Sequence, residues 1–400
     1  MKPIYKKWGF YMYSVNHIST EKGGLSMQAV SICLILSALV LVYFAWENWM
    51  NLRCLSSFKA VIHVNGIRGK TSTCRYLDAA LRTKYRVFTK TTGTDARFID
   101  VNGTEQPVRR LGPANIHEQI RTIRRARREG AEILILECMA VNPELQKIAQ
   151  ERIVRSNITI ITNARYDHIF EMGDTLEEIS ASLSATIPEN GTLYTADPEL
   201  GKRLSDSCQR RNCRLVVCPS TGTASENIGI ARAVSASLDV SEEDFQASIP
   251  QAKQDFGARH LYEITSPSGK VVHFLNLFSA NDPQSTHNIV EEYASSFPHL
   301  AFLYNHREDR PDRALLFARY FLPFYPDSTV FLTRRGAALP KRLFRNAGVS
   351  DLRVLSDWHG CLDLPENTLL VGIGNIKGCG YQLIKELDAT HGYKGESAYE

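Results

Sequence analysis

Apolar runs alternate with amphipathic stretches along the chain from Ala60 onward. Short runs rich in β-branched residues are typical of buried strands, and apolar positions that recur every three or four residues are typical of helices with one buried face. In the first half of this region the pattern predicts a series of strands and helices. The strands cover 60–64, 132–139, 158–164 and 192–196, and the helices cover 71–84, 116–130, 175–187 and 225–238.

A second series of apolar runs follows the polar stretch 248–260. Its predicted strands cover 270–278, 300–306, 328–333, 352–356 and 368–374. Short buried strands that alternate with helices indicate parallel sheets covered by helices on both faces. We therefore expect an α/β protein with two domains, 56–254 and a smaller, Rossmann-like 255–400, whose boundary lies near Gln254.

The N-terminal segment, 1–55, contains a long apolar stretch. Residues 29–46 carry no charge, and their length is close to what a helix needs to cross a bilayer. Tyr43, Trp46 and Trp49 lie where interfacial aromatic residues are expected. A cleaved signal peptide is the alternative, although its apolar region is usually shorter and nearer the start. We predict a retained single-pass transmembrane helix, whose orientation the nearly balanced flanking charges leave open.

Composition narrows the possible functions only slightly. The chain has 400 residues, of which 44% are hydrophobic, and a net charge of +4. This composition is that of an ordinary globular protein, and the charge is too small to indicate a nucleic-acid partner. Nine cysteines are scattered along the chain without a CxxC pair. Reduced thiols are the favoured interpretation, and a metal at Cys208, Cys213 and Cys218 is the alternative.

The segment 64–73, VNGIRGKTST, joins the first predicted strand to a predicted helix. Glycines let a loop curl so that successive N–H groups point at one spot, and the start of a helix adds positive potential there. In this arrangement Lys70 reaches the outer phosphates of a nucleotide and the Thr71 hydroxyl coordinates Mg²⁺. The match is only G-x-x-G-K-T, because Val64 stands where a full P-loop has glycine. A glycine turn at an ordinary strand–helix junction is the alternative.

Acidic and imidazole side chains follow two other predicted strands. Glu137 and the pair Asp167–His168 each come at the end of an apolar run. Because the carboxyl ends of parallel strands meet at one edge of a sheet, these residues are expected near the phosphate loop. Carboxylates and imidazole bind Mg²⁺ and similar divalent ions. The alternatives are an ion-paired carboxylate and a buried structural histidine.

Several longer motifs resemble one family. The segments VNGIRGKTST, TKTTGTDAR, GPANIHEQ, ECMAVNPELQ, FLNLFSANDPQST, NHREDRPDR and GIGNIKG are similar to the ligase subunit of poly-γ-glutamate synthase (PgsB/CapB), which is related to the Mur ligases and folylpolyglutamate synthetase. The resemblance covers about residues 60–387. It implies a Mur-type central domain and an ATP-dependent ligase that phosphorylates a carboxylate and condenses the acyl phosphate with the amine of glutamate.

The resemblance also implies roles for particular residues. The catalytic residues would be Lys70, His168 and Arg259. The nucleotide would be bound by Asn65, Gly66, Gly69, Lys70, Thr71, Ser72, Asn227, Arg259 and Asp282. The metal, Mg²⁺, would be held by Thr71, Glu137 and His168. The acidic substrates would be bound by Thr92, Thr94, Arg97, Asn305, Arg307 and Arg310.

Two departures from the Mur pattern stand out. Mur ligases carry a carbamylated lysine after the metal-binding histidine, but 169–201 contains no lysine, so a second metal would need Glu171 or Asp174. The Mur N-terminal domain for a uridine-nucleotide precursor is also missing, and the apolar helix stands in its place. The family further implies glutamate, the growing polymer and other membrane subunits as partners, and intracellular ATP requires the catalytic domains to be cytoplasmic.

Three rival functions stay open on the sequence. The first is a Mur-like ligase for a different amino acid, the second a membrane-tethered P-loop ATPase that powers assembly or export, and the third a nucleotide sensor. Two further motifs have ordinary explanations. The five arginines in 121–128 are typical of a solvated helix face, and 372–378, GIGNIKG, is typical of a tight turn after a strand.

Overall fold

The computed structural model describes residues 27–92, 96–110, 112–219, 223–252, 260–266, 268–280 and 282–391. The chain divides into two compact units, Met1–Met50 and Asn51–Glu400. Among the described residues of the first unit, the secondary structure is helix α1 (Met27–Leu55), whose last residues belong to the second unit. No residue of the most apolar part of α1 is buried, and the helix is long and apolar enough to cross a membrane. The predicted span 29–46 lies within α1.

The first sheet of the second unit has eight strands in the order β4-β3-β2-β5-β1-β6-β7-β8. Its strands are β1 (Ala60–Asn65), β2 (Val87–Lys90), β3 (Arg97–Ile99), β4 (Glu105–Pro107), β5 (Ile133–Glu137), β6 (Ile158–Ile161), β7 (Thr192–Thr195) and β8 (Arg214–Val217). The central strands β1, β2, β5 and β6 are buried along their whole length. This burial on both faces is what continuous apolar runs indicate.

Helices cover both faces of this sheet. They are α2 (Lys70–Leu81), α3 (Glu118–Arg128), α4 (Pro143–Ile148), α5 (Ile169–Met172), α6 (Leu176–Leu183), α7 (Pro198–Arg210), α8 (Thr223–Ser237) and α9 (Glu242–Ser248), with a π-helical turn at Ala149–Val154. One face packs α2, α8 and α9, and the other packs α6 and α7. Cys218 is buried on the first face, whereas Cys208 and Cys213 are buried on the second.

The second sheet has six strands in the order β13-β12-β11-β14-β10-β9. Its strands are β9 (His260–Thr265), β10 (Val271–Asn276), β11 (His299–Tyr304), β12 (Thr329–Thr333), β13 (Leu352–Leu355) and β14 (Thr368–Ile373), and its helices are α10 (Pro283–Ala294), α11 (Pro311–Tyr320), α12 (Ala338–Asn346) and α13 (Cys379–His391). The two faces of this sheet each carry an apolar core.

Both sheets are mixed, whereas the sequence pattern predicted parallel sheets. Strands β2, β3 and β4 pair antiparallel, and so do β9 and β10. The strands that the pattern did not predict are β2, β3, β4, β8 and β9. Strands β3 and β4 have three residues each, β2 and β8 have four each, and β9 alternates buried and exposed positions. Short or half-exposed strands lack the continuous apolar run that marks a central strand, which is why the pattern missed them.

Candidate functional site

The phosphate-loop segment lies at the carboxyl end of β1 and leads directly into α2. Gly66 and Gly69 have φ angles of 118° and 82°, which only glycine adopts without strain. Asn163, after β6, fixes the loop between them, since its Oδ1 accepts a bond from the Arg68 N–H at 3.0 Å and its Nδ2 donates to the Arg68 carbonyl at 3.1 Å. The loop is therefore held in one curled shape by the neighbouring strand end.

Gly69 is also closely packed. A Cβ at this position would lie 2.8 Å from Asn227 Nδ2, and Asn227 Oδ1 accepts a hydrogen bond from the Thr73 hydroxyl at 3.2 Å. Asn227 of helix α8, predicted to bind the nucleotide, thus lies against the phosphate loop. The predicted Ser72 is half-buried in the first turn of α2. The loop and α8 form one packed unit.

We expect Gly69→Ala to weaken nucleotide binding at least about tenfold, because a side chain there must displace Asn227 as well as adopt a left-handed backbone costing about 1–2 kcal/mol. Gly269→Ala is the matched control, since Gly269 has the same φ of 82° but open space around its Cβ position. Titration with a fluorescent ATP analogue measures both variants. Equal losses in the two would contradict a specific role for the close packing at Gly69.

The Lys70 side chain turns back over the loop. Its Nζ donates to the Gly66 carbonyl at 2.7 Å and to the Ile67 carbonyl at 3.2 Å. Burial lowers the pKa of Lys70, and the Glu137 carboxylate partly offsets this effect. The ammonium group is thereby placed against the carbonyl oxygens of the loop, so its predicted role in binding phosphate stays a prediction.

Glu137 and Thr71 come together as the sequence predicted. The Thr71 hydroxyl lies 3.2 Å and 3.1 Å from the two carboxylate oxygens of Glu137, and the Thr92 N–H donates to Glu137 Oε2 at 2.7 Å. Glu137 is 2% exposed. Among the described residues no group of three or more His, Cys, Asp or Glu side chains forms a metal cluster. A hydroxyl and one carboxylate nevertheless fit Mg²⁺, which takes few protein ligands and completes its shell with phosphate and water.

Asp167 is the centre of a buried charge cluster. Its Oδ2 accepts from Arg68 Nη2 at 2.7 Å, and its Oδ1 accepts from Arg310 Nη2 at 2.5 Å. Burial by itself raises the pKa of Asp167, but the positive charges of Arg68 and Arg310 outweigh it and hold the pKa well below its usual value. Asp167 is therefore ionised at neutral pH and joins the phosphate loop to the loop before α11.

His168 lies beside this cluster with φ of 54°. Burial lowers the pKa of His168 to about 4, an effect that Asp167 only partly offsets. The ring is therefore neutral at pH 7, and its Nε2 accepts from Arg310 Nη1 at 3.3 Å. A neutral imidazole is able to bind a metal. Metal binding through Nε2 requires Arg310 to move first, so the predicted ligand role of His168 stays a prediction.

The second domain contacts the phosphate loop through Asp282, the residue before α10. Its Oδ2 accepts from Arg68 Nε at 2.8 Å, while its Oδ1 accepts from the Ser285 N–H at 2.8 Å and caps helix α10. Arg165 also bonds the Ser285 hydroxyl, and Tyr166 stacks on Tyr320 with ring centroids 4.6 Å apart. The loop after β6 and the phosphate loop therefore share a polar and aromatic interface with α10 and α11.

The other predicted residues have mixed surroundings. Asn65 points into the first domain, where its Nδ2 donates to Gln146 Oε1 at 2.8 Å. Asn305 holds the turn after β14 by donating to the carbonyls of Asn375 and Lys377 at 2.6 Å and 2.9 Å. Arg97 is half-buried in β3. Thr94 and Arg259 lie outside the described residues.

Two arginines of the 305–313 loop form ion pairs within that loop. Arg307 makes two bonds to Asp309, at 2.6 Å and 2.8 Å, on the surface, and Arg310 makes two to Asp312, at 3.0 Å and 2.8 Å. The ion pairs do not themselves exclude substrate binding. The exposed pair of Arg307 is the more easily exchanged, because surface ion pairs contribute little stability.

Arg68 and its bond to Asp282 were not foreseen as part of the site. Both residues lie inside motifs that the sequence singled out, but 214 positions separate them. Spacing indicates which strand end a residue follows and not how two sheets face each other. The signal available in advance was an arginine placed between the two glycines of the loop.

Comparison with known proteins follows the same division of the chain. Residues 64–257 match the Mur ligase middle domain, and residues 261–390 match the poly-gamma-glutamate synthase CapB C-terminal domain. The fold is similar to a crystal structure of bifunctional folylpolyglutamate synthase/dihydrofolate synthase with Mn, AMPPNP and L-glutamate bound. That match has a TM-score of 0.63 at 15% identity and covers 85% of this chain and 92% of the other.

Two curated relatives match almost the whole chain. The capsule biosynthesis protein CapB of Bacillus anthracis is 32% identical over 396 residues, covering 92% of this chain and 84% of the relative. The PGA synthase CapB of Bacillus subtilis (strain 168) is 31% identical over 388 residues, covering 90% and 98%.

The phosphate loop at the end of β1 and the matched fold define a Mur-ligase-type α/β protein. Within that class, the chain belongs to the CapB family of poly-γ-glutamate synthases, which confirms the resemblance found in the sequence motifs.

Proposed function

We propose that this protein is an ATP-dependent amide ligase that lengthens poly-γ-glutamate, the polymer after which its relatives are named. The observation that carries the proposal is the grouping of the curled loop, Lys70, Thr71 and Glu137 at the carboxyl ends of β1 and β5. The second domain contacts the curled loop through Asp282, which binds Arg68, and contacts the neighbouring Asp167 through Arg310, as expected of a site between two lobes. Membership of the CapB family supports the same activity.

The reaction has two steps. A terminal carboxylate oxygen attacks the γ-phosphorus of ATP and forms an acyl phosphate, and ADP leaves. The amine of glutamate then attacks the acyl carbon, phosphate leaves, and the nitrogen loses a proton. Phosphorylation supplies the leaving group that a carboxylate lacks. Lys70 and the N–H groups of the loop would neutralise charge on the transferring phosphoryl oxygens.

The divalent ion belongs to the same proposal. A folylpolyglutamate synthase of this fold was crystallised with Mn, AMPPNP and L-glutamate. In this chain we assign Mg²⁺ to Thr71 and Glu137, with His168 as a further ligand once Arg310 has moved. When bound, the ion would screen charge on the phosphates. The assignment predicts that Glu137→Gln weakens nucleotide binding with Mg²⁺ present and changes it little with EDTA.

The roles proposed for the acidic substrate rest on arginine side chains. Arg97 and Arg307 present guanidinium groups that match carboxylates. Arg307→Ala is expected to raise the KM for the acidic acceptor about tenfold while changing kcat little, because the pair with Asp309 is exposed and exchangeable. Arg353→Ala is the matched control, since Arg353 makes the same two-bond pair with Asp351 on the surface. A fall in kcat without a change in KM would contradict the assignment.

We also propose that α1 anchors the protein in the cell membrane as a single span, with both α/β domains in the cytoplasm where ATP is available. The support is the exposed apolar window of α1. Other membrane subunits of a synthase are further proposed partners, on the strength of the family alone. Flotation of full-length protein with vesicles at alkaline pH tests the anchor. Recovery in the soluble fraction would contradict it.

The central experiment incubates full-length protein, in detergent or nanodiscs, with ATP, Mg²⁺, glutamate and short γ-linked oligoglutamates. The expected result is a lengthened amide product in equal amount to ADP. A panel of other amino acids separates this proposal from a ligase with a different amine substrate. ADP release without any amide product would indicate an ATPase, and nucleotide binding without turnover would indicate a sensor.

A further inference from the structure

The end of the first sheet opposite the phosphate loop carries a concentration of exposed cations. Strands β2, β5, β1 and β6 are neighbours and parallel, so the segments that precede them meet at one edge. We call this surface the basic edge. It comprises the exposed residues Arg53, Lys59, Lys84, Arg86, Arg128, Arg152 and Arg155.

Carboxylates at the basic edge do not balance these cations. Glu129 pairs with Arg125, Glu132 with Lys59, and Glu151 with Arg211. Asp239 is exposed and lies 3.9 Å from Lys84 Nζ. The whole chain has a net charge of only +4, so the surplus at this edge reflects an uneven distribution of charge and not a generally basic protein.

The basic edge surrounds the point where α1 ends. Within the second unit, Asn51 Nδ2 donates to the Ile153 carbonyl at 2.8 Å, and Arg127 Nη1 lies 3.6 Å from Cys54 Sγ. These contacts fix the last turns of α1 between α3 and the π-helical turn, which carry Arg128 and Arg152. Asn51 comes only five positions after Trp46, the end of the apolar stretch. Even fully extended, five residues span about 17 Å, so the edge cannot lie far from a bilayer that holds the stretch.

We propose that the basic edge binds the anionic headgroups of the membrane in which α1 is inserted. Anionic lipids attract juxtamembrane lysines and arginines, and the attraction acts within about a Debye length of roughly 8 Å. The arrangement turns the amino ends of the strands toward the lipid and leaves the carboxyl ends, with the phosphate loop, facing the cytoplasm. The inference rests on the proposed membrane insertion of α1 and not on the proposed ligase reaction.

A polyanionic product is the other conceivable occupant. The catalytic grouping lies at the carboxyl ends of β1 and β5, however, and the basic edge lies at their amino ends. A polymer end held at Lys70 would have to pass along the full depth of the sheet to reach Arg128 or Arg155. The short tether to the apolar stretch therefore favours lipid.

Photo-crosslinking of full-length protein in nanodiscs tests the inference. Probes are phosphatidylglycerol and phosphatidylcholine, each with a photoreactive headgroup, and a third lipid with a photoreactive acyl chain. We expect the anionic probe to label peptides within 124–132 and 150–157 at least about fivefold more than the neutral probe at low salt, with the difference lost near 1 M salt. Equal labelling by the two headgroup probes would overturn the inference.

A charge-removing variant adds a second measurement. Arg128→Gln, Arg152→Gln and Arg155→Gln together are expected to abolish the preference for the anionic probe. Arg334→Gln, Arg335→Gln and Arg342→Gln remove the same charge from exposed positions of the second domain and should leave it unchanged. An unaltered preference in the first variant would overturn the inference. If that variant fails to fold, the comparison of the two headgroup probes on the wild-type protein is the test of the inference.

The acyl-chain probe and the ligase assay keep the proposals apart. Labelling of α1 by the acyl-chain probe without headgroup preference at the basic edge would overturn the inference and leave the anchor intact. An unlabelled α1 would overturn the anchor and this inference with it, whereas amide synthesis in the same nanodiscs reports on the ligase alone. If added poly-γ-glutamate suppresses the headgroup labelling in discs of neutral lipid, the basic edge binds the polymer, and the proposal that it binds lipid headgroups is overturned.

Discussion

Replacement of Lys70 with alanine is expected to lower amide synthesis at least about a thousandfold, which is the size of effect that removal of a key phosphate-stabilising group produces. The reason is geometric as well as electrostatic. The ammonium group is held over the loop by the carbonyls of Gly66 and Ile67, so it needs little rearrangement to meet the phosphates. Alanine removes both the charge and the hydrogen-bond donor at the point where the proposed mechanism places the transfer of the phosphoryl group.

The measurement is the rate of amide product and ADP formation at saturating ATP. Lys202→Ala is the control, because Lys202 is 73% exposed and pairs with Glu199 on α7, away from the loop. Circular dichroism and the thermal midpoint check that both variants are folded. Near-normal turnover in Lys70→Ala would remove the phosphate loop from the mechanism and with it the proposed function.

Replacement of Asp167 with asparagine is expected to destabilise the protein by up to about 3–5 kcal/mol, the cost of removing one partner of a buried ion pair. Here two guanidinium groups each lose one carboxylate partner, because Arg68 and Arg310 both bond Asp167, whose side chain is 1% exposed. Arg68 keeps its bond to Asp282 and Arg310 keeps its pair with Asp312. Both sheets contribute to the cluster, so the loss falls on the contact between the two domains. We expect ligase activity to fall together with stability.

Asp351→Asn is the matched control for this variant. Asp351 also binds an arginine, Arg353, but its side chain is 40% exposed, so the expected change is below about 1 kcal/mol. Chemical denaturation measures both variants, with fluorescence reporting each domain. Equal changes in the two variants would mean that the buried cluster contributes no more than a surface pair.

The pH dependence of stability tests the same cluster. Positive neighbours hold the pKa of folded Asp167 below its usual value, whereas in the unfolded chain an aspartate titrates at about 3.9. The unfolded state therefore binds more protons at acid pH, and the contribution of Asp167 is complete above about pH 4 and is lost as the pH falls through the folded-state pKa. The acid limb of the stability curve should be less steep in Asp167→Asn than in the wild type.

Most central elements were predictable from local pattern. The strands β1, β5, β6, β7, β10, β11, β12, β13 and β14 were all found because each has an apolar run. Among them, β1, β5 and β14 are buried on both faces. Strands β2, β3, β4, β8 and β9 were missed. Residues of β3, β4, β8 and β9 face solvent on at least one side, whereas β2 is buried but has only four residues, so the pairing of these strands depends on a neighbouring strand and not on their own composition.

The site shows the same division. The glycines, Lys70 and Thr71 are adjacent in the chain, and Glu137 follows a neighbouring strand, so the rule that strand ends converge was enough to bring Thr71 and Glu137 together. No such rule applied to Asn305, which holds the turn at Asn375, or to Arg310, which covers the Nε2 atom of His168. Those contacts depend on which neighbours the folded loops meet.

The sequence by itself determined the family, the α/β class, the apolar N-terminal helix and the curled loop that leads to Lys70. Each of these depends on residues close together in the chain. The tertiary structure alone decided that Arg68 joins Asp167 to Asp282 across two sheets, and that the cations of four separate segments gather at the amino ends of the strands. Local patterns specify elements and their faces. Long-range charge pairing depends on how whole sheets are placed against each other. Arg68 and Asp282 are 214 positions apart, so no local sequence pattern predicts that they meet.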